Sequence, residues 1–280
     1  MKLRILYQTQ YSYAEPVTFS PHLFRLFPKV GQHVKIHNHD FRTNIDAAVS
    51  FRRDLFDNEV ASCFYPKPAS LLAASLTIDL DVQPTNAFGF LLDAHALSLP
   101  FNYQPTELHV LQPYLQSGAP LKLPFWSPPT NPQPTTETLV ALNAAIRENL
   151  GYERRDEGPA YSAAETLLRG RGACRDFAVL LAGTLRDLGL AARLASGYLC
   201  EFGDTEKVAE GALHAWVETY LPGAGWVGLD PTNGTVCDHH HLTAAVGLTP
   251  SDISPVLGNY YHPVSVPSTM TASLSIVPHE

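Results

Sequence analysis

Seven prolines between positions 113 and 134 (Pro113, Pro120, Pro124, Pro128, Pro129, Pro132 and Pro134) divide the chain into two stretches with different hydrophobic periods. Proline lacks an amide donor and pushes its predecessor toward extended backbone. Neither a regular helix nor a central strand can run through such a tract. Before it the period is two. Leu3, Ile5, Tyr7, Thr9, Tyr11 and Tyr13 alternate with Lys2, Arg4, Gln8, Gln10 and Ser12, the mark of a half-buried strand. Leu76, Ile78, Leu80 and Val82 repeat the pattern, and shorter candidates lie at 34–41, 49–53 and 60–65, with Asp57-Asn58 as a turn. An antiparallel β-sandwich domain over residues 1–111 is expected.

The tract itself, 112–136, reads as a linker. Phe125 and Trp126 require cover, which presses it against the protein surface. Beyond it, 137–280 reads as a second, catalytic domain of α+β type, helices first and an antiparallel sheet after. Leu139, Leu142, Ile146 and Leu150 recur at helical spacing and Gly151 stops them. Ser162-Ala-Ala-Glu165 has the form of a capping box. The stripe Phe177, Leu180, Leu181, Leu185 and Leu188 belongs to a helix starting at Cys174 and ending at Gly189. Strands are expected at 192–200, 213–221 and 226–229, with further strand-like pieces at 264–266 and 272–277.

Composition narrows the class of function. Hydrophobic residues make up 45% of the chain and charged residues 16%, enough apolar material for an ordinary core. A formal net charge of −8 argues against a general affinity for nucleic acid or anionic membrane. No apolar run is long enough for a membrane span or a signal peptide, so a soluble cytoplasmic protein is expected. Cys63, Cys174, Cys200 and Cys237 form neither a disulfide framework nor a Cys-x-x-Cys pair. No cofactor is called for. Cys237-Asp-His-His-His241 looks like a metal cluster on paper, but consecutive residues of an extended run point to different sides, so it reads as a solvated loop and no metal site is expected.

The chemistry-bearing residues lie in the second stretch. Cys174 opens the best amphipathic helix, where unpaired amides and the helix dipole favour an anion. A free thiol has a pKa of about 8.5, and lowering it by ~1.5 units takes about 2 kcal/mol, within reach of a helix start plus an imidazole partner. His214 supplies that imidazole from a strand, and Asp230, at the end of the next strand, is the candidate to orient it. Pro222-Gly-Ala-Gly225 between the two strands is a hairpin signal. A three-residue loop pairs Leu221 with Gly225, sets Asp230 opposite Trp216 and makes His214 its diagonal neighbour on one face. A four-residue loop puts the two on opposite faces. Asp176 reads as a structural cap or a partner for Arg175, and Arg175 as adding positive field near the sulfur or pointing to solvent. Trp216, Tyr152 and Tyr161 are candidate substrate-binding residues, each weighed against a packed aromatic. The Cys174 amide is the candidate oxyanion donor.

Gly172-Ala-Cys-Arg-Asp-Phe-Ala, Leu213-His-Ala-Trp-Val-Glu and Gly225-Trp-Val-Gly-Leu-Asp-Pro-Thr-Asn-Gly resemble the bacterial transglutaminase-like family. Tyr11-Ser-Tyr-Ala-Glu-Pro-Val and Ser20-Pro-His-Leu-Phe-Arg-Leu-Phe-Pro are similar to that family's N-terminal β region. The resemblance implies a papain-like core with Cys174 as nucleophile, His214 as base and Asp230 as orienting acid. Many members carry Gln after the cysteine, where this chain has Arg175. The expected function is attack of a thiol on a peptide or isopeptide bond through a thioester, with hydrolysis favoured. Two alternatives stay open: acyl transfer to an amine, which uses the same trio, and a non-enzymatic scaffold that binds a peptide or protein. The expected partner is a peptide or protein substrate.

Overall fold

The computed structural model describes residues 1–31, 33–118, 120–155, 158–200 and 212–279. Alternation in the first residues builds a long strand, β1 (Lys2–Phe19), whose Leu3, Ile5 and Tyr7 are buried. It pairs antiparallel with β6 (Ala69–Val82), Ile5 opposite Ile78, and β6 in turn with β3 (Val34–Thr43). A second antiparallel sheet joins β2 (His22–Phe24), β5 (Glu59–Phe64) and β4 (Ala48–Arg53). Phe24 and Phe27 meet Phe41 with ring centroids 5.0 and 6.0 Å apart, closing one shared core between the sheets.

The tail completes this sandwich. Strand β11 (Ser268–Pro278) pairs with the other edge of β1, Leu3 opposite Pro278 and Tyr13 opposite Ser268. Tyr260–Tyr261 and Val256–Leu257 add to β1 and β2. The end of the chain, grouped with 137–280 by sequence, thus lies in the N-terminal sheets. Its strand period was visible; its partner, some 260 positions away, was not.

The 112–136 stretch is more structured than a linker. Helix α1 (Pro105–Leu111) runs into a 3₁₀ turn at Gln112–Leu115, and Gln133–Pro134 bridges to Ser98–Leu99. Phe125 and Trp126 do find cover, against the second core. That core is α2 (Thr135–Asn149), α3 (Ala163–Arg169) and α4 (Cys174–Asp187), together with an antiparallel sheet ordered β9 (Gly225–Asp230), β8 (Ala212–Leu221), β7 (Ala192–Leu199), β10 (His241–Gly247). The α4 stripe is fully buried at Phe177, Leu180, Leu181 and Leu185, and Gly189 ends the helix at φ +78°, a conformation that favours glycine. Ser162 caps α3 by accepting the Glu165 amide at 3.2 Å. The glutamate does not close the expected box: its carboxylate bonds Arg169 at 3.0 Å.

The two cores are locked together. Tyr198 and Leu242 of the second sheet belong to the sandwich core. Asn58, itself fully buried, exchanges two 2.8 Å hydrogen bonds with the Val246 backbone, and the Tyr198 hydroxyl donates to Leu26 at 2.7 Å. The β domain is therefore a fixed support for the sheet that carries His214. No described helix is long and apolar enough to cross a membrane.

Candidate active site

Cys174 is the first residue of α4, where amides lack intrahelical acceptors. Asp176 holds that turn. Its Oδ2 accepts the Ala173 amide at 2.8 Å and its Oδ1 the Tyr161 amide at 2.7 Å. Arg155 Nη2 reaches both oxygens at 2.7 and 2.8 Å. The carboxylate is fully buried and its charge is spent on Arg155, which stacks over the Tyr161 ring at 3.7 Å. Asp176 is thus the cap that its position indicated, but its partner is Arg155. Arg175 donates to the Arg155 carbonyl at 2.8 Å, so it turns toward the protein rather than to solvent. Breaking a buried pair of this kind costs about 3–5 kcal/mol. Asp176→Ala is expected to lower stability by that amount in urea titration, while Glu165→Ala, which removes an exposed pair, is expected to change it far less.

The second side chain arrives through the hairpin. Leu221 pairs with Gly225 and Val217 with Leu229, the register of the three-residue loop. Continued by one residue, it sets Asp230 beside Trp216 and diagonal to His214. His214 Nε2 lies 2.9 Å from Asp230 Oδ2. That leaves Nδ1 for the other side of the ring, and His214 lies near enough to Cys174 for each to shift the titration of the other. The Ala215 backbone also acts on the sulfur and favours its charged form.

Asp230 is fully buried and saturated with donors. Oδ1 accepts the Thr232 and Asn233 amides at 2.9 and 3.3 Å. Oδ2 accepts Asn233 Nδ2 at 2.7 Å and His241 Nε2 at 3.2 Å besides His214. Its backbone carbonyl accepts Asn143 Nδ2 from α2 at 3.2 Å. Sequence reasoning did not find Asn143, Asn233, Arg155 or His241. The Asp-Pro-Thr-Asn-Gly run was a readable turn signal, since an aspartate commonly accepts the backbone amide two residues on, as Asp230 does from Thr232.

Charge follows from these contacts. Burial pushes the Cys174 thiol up, but the hydrogen bond and charge of His214, the Ala215 amide and Arg175 outweigh it and hold the thiol below its ordinary value. Burial pulls His214 down, but Asp230 and Cys174 outweigh that and push it up to about 10. Burial raises Asp230, yet its donors hold it far below the usual carboxylate range. These shifts all run toward the charged forms, thiolate beside imidazolium beside carboxylate. The other thiols go the opposite way: burial pushes Cys63 up, Cys200 up to about 12 and Cys237 well up.

The aromatic candidates separate. Trp216 is 1% exposed and stacks on the His214 ring, centroids 6.2 Å apart and planes 28° apart, so it supports the base from the core rather than lining an open acyl site. Tyr161 carries Arg155 and Arg169 over its ring. Tyr152 is exposed, on a short parallel bridge between Gly151–Tyr152 and Arg171–Gly172 that leads into Cys174.

The 237–241 segment is a turn at 239–240, not an extended run. Ligand atoms of Asp238, His239 and His240 lie within 4.8 Å of one another, the one such grouping among the described residues. Their polar atoms are engaged within the protein: His240 Nδ1 is 2.7 Å from Asp238 Oδ1, and His239 Nδ1 accepts the Thr85 amide at 3.2 Å. We read the group as the fastening of this turn.

Residues 126–231 match the transglutaminase-like superfamily core and residues 3–83 the bacterial transglutaminase-like N-terminal region. Among similar proteins, Rv2569c of Mycobacterium tuberculosis is 27% identical over all of this chain and 93% of its own length. ML0607 of Mycobacterium leprae is 33% identical over 126 residues, 44% of each chain. A solved structure from Cytophaga hutchinsonii, described as a candidate cysteine protease, aligns over 100% of this chain and 92% of its own, with a TM-score of 0.69 and 17% identity, a likeness of fold. Core match, N-terminal match and architecture agree: the chain carries a transglutaminase-like core over residues 126–231 and the bacterial transglutaminase-like N-terminal region over residues 3–83.

Proposed function

We propose that this protein is a cysteine peptidase or amidase that cleaves peptide or isopeptide bonds through a thioester on Cys174. The family match supports a cysteine-based enzyme. The observation that carries the finer reading is the convergence of the Cys174 thiol, the His214 ring and the saturated Asp230 carboxylate. The thiolate adds to the amide carbonyl, and the Cys174 amide at the start of α4 receives the developing oxyanion. Collapse breaks the C–N bond while the imidazolium gives its proton to the leaving nitrogen. Water then adds to the thioester, His214 takes its proton, and the C–S bond breaks to release the acid.

Hydrolysis and transfer share every step up to the thioester. Acylated peptide amides, isopeptides and amino-acid amides are to be incubated with and without a primary amine and the products weighed. The expected product is the free acid in both cases. A product carrying the amine in place of water would assign acyl transfer. Failure of every substrate, together with no preferential modification of Cys174 by an acyl-directed thiol probe, would assign a binding scaffold.

A further inference from the structure

Asp230 serves two imidazoles. Besides His214, the ring of His241 reaches the same Oδ2, Nε2 to oxygen, at 3.2 Å. His241 opens β10, three strands from Asp230 in the sheet order, and pairs with Leu199 of β7. It lies beyond the stretch matched by the superfamily core, which ends at residue 231. Its side chain is 6% exposed. Trp216 touches both rings, which are themselves 6.4 Å apart: it stacks on His214 and meets His241 edge to face, with centroids 5.3 Å apart at 73°. The other nitrogen of His241, Nδ1, lies 3.9 Å from Asp238 Oδ1, outside hydrogen-bond range. The charged and titratable groups facing the ring are thus Asp230, Asp238 and His214.

A buried imidazole costs free energy unless its polar atoms are used. Here the use it finds is the carboxylate that orients the base. Packing beside Trp216 alone would be served as well by phenylalanine. We propose that His241 is a positioning residue: its Nε2–H holds Asp230 in the orientation and ionised state that fix His214 toward Cys174. This rests on the reading of Cys174, His214 and Asp230 as a working triad. The geometry also fixes a tautomer, with the proton on Nε2 of His241.

The test compares iodoacetamide labelling of Cys174 against pH in wild type, His241→Phe and His241→Gln. The phenylalanine variant is expected to raise the labelling midpoint by about one pH unit and to slow labelling at pH 6.5 about tenfold. Glutamine, whose amide can still donate to the carboxylate, is expected to restore at least half of that loss. A folded His241→Phe protein with the wild-type midpoint overturns the inference while leaving the triad standing. A wild-type midpoint equal to that of free cysteine overturns the triad and this inference with it. Where the phenylalanine variant fails to fold, ¹⁵N-histidine spectra of the wild-type protein decide: the Nε2–H tautomer at His241 supports the role, and the Nδ1–H tautomer overturns it.

Discussion

Cys174→Ala is expected to lose amide-bond turnover by a factor on the order of 10⁵, with the fold retained. The size follows from what the sulfur does. Without it no thioester forms, and what remains is whatever the helix start and the imidazole give to direct attack by water, on the order of 10³ over solution. Retention of the fold follows from position. Cys174 is half-buried and its helix is held by Asp176, Arg155 and the buried stripe on its other face. Cys174→Ser is expected to fall nearly as far, because a hydroxyl is not ionised by the contacts that ionise this thiol. Cys63→Ala, buried in the sandwich, is expected to leave turnover unchanged per folded molecule. Turnover on any cleaved amide, set against the circular dichroism of each variant, checks all three. Retained turnover in Cys174→Ala would move the chemistry elsewhere.

Asp230→Asn is expected to cost more than its size suggests. A carboxylate accepts at both oxygens; an amide accepts at one atom and donates at the other. Asp230 receives donors on both sides, three on Oδ2 and two backbone amides on Oδ1. Either orientation of asparagine therefore sets an NH₂ against N–H groups in a site closed to solvent. His214 loses both its counter-charge and the acceptor that selects its tautomer, and turnover is expected to fall by about 10³–10⁴-fold.

The same variant changes the response to pH. In the native protein the Asp230 carboxyl is depressed, so its contribution to stability is present above the unfolded value of about 3.9 and is lost as pH falls below it. His214 is raised, so its contribution is complete below about 6.5 and is lost as pH rises through 10. Wild-type stability is therefore expected to decline on both sides of that window. Asp230→Asn is expected to be less stable inside it and to show a shallower decline on the acid side. Thermal unfolding across pH 3 to 10, paired with turnover, separates the two effects. A variant as active and as acid-sensitive as the wild type would remove Asp230 from the site.

Much of this site was legible in the sequence because its geometry is local. A glycine-flanked cysteine before an apolar stripe marks a thiol at a helix start. The Pro-Gly-Ala-Gly hairpin signal left three- and four-residue loops open; an odd loop was expected because it alone brings Asp230 to the face of His214, and the structure has the three-residue loop. What stayed hidden depends on distant chain. His241 faces Asp230 because β10 pairs with β7 and because 239–240 is a turn; periodicity across 237–241 shows neither. Asp176 was readable as a cap, but Arg155 reaches it only through the fold of the preceding loop, and Arg175, the sequence neighbour, goes elsewhere. The sandwich was visible strand by strand in its alternation. That β11 closes it is a fact of pairing, and an alternating strand fits many edges equally well.

The account rests on a thiolate held by an imidazolium in a protein whose other three cysteines are held as thiols. Limited iodoacetamide treatment of the native protein from pH 5 to 10, read thiol by thiol by peptide mass spectrometry, tests this directly. Cys174 should be labelled ahead of Cys63, Cys200 and Cys237, with a midpoint well below the value of about 8.5 for a free thiol. Labelling of Cys174 no faster than free cysteine, with a midpoint at that value, would contradict it.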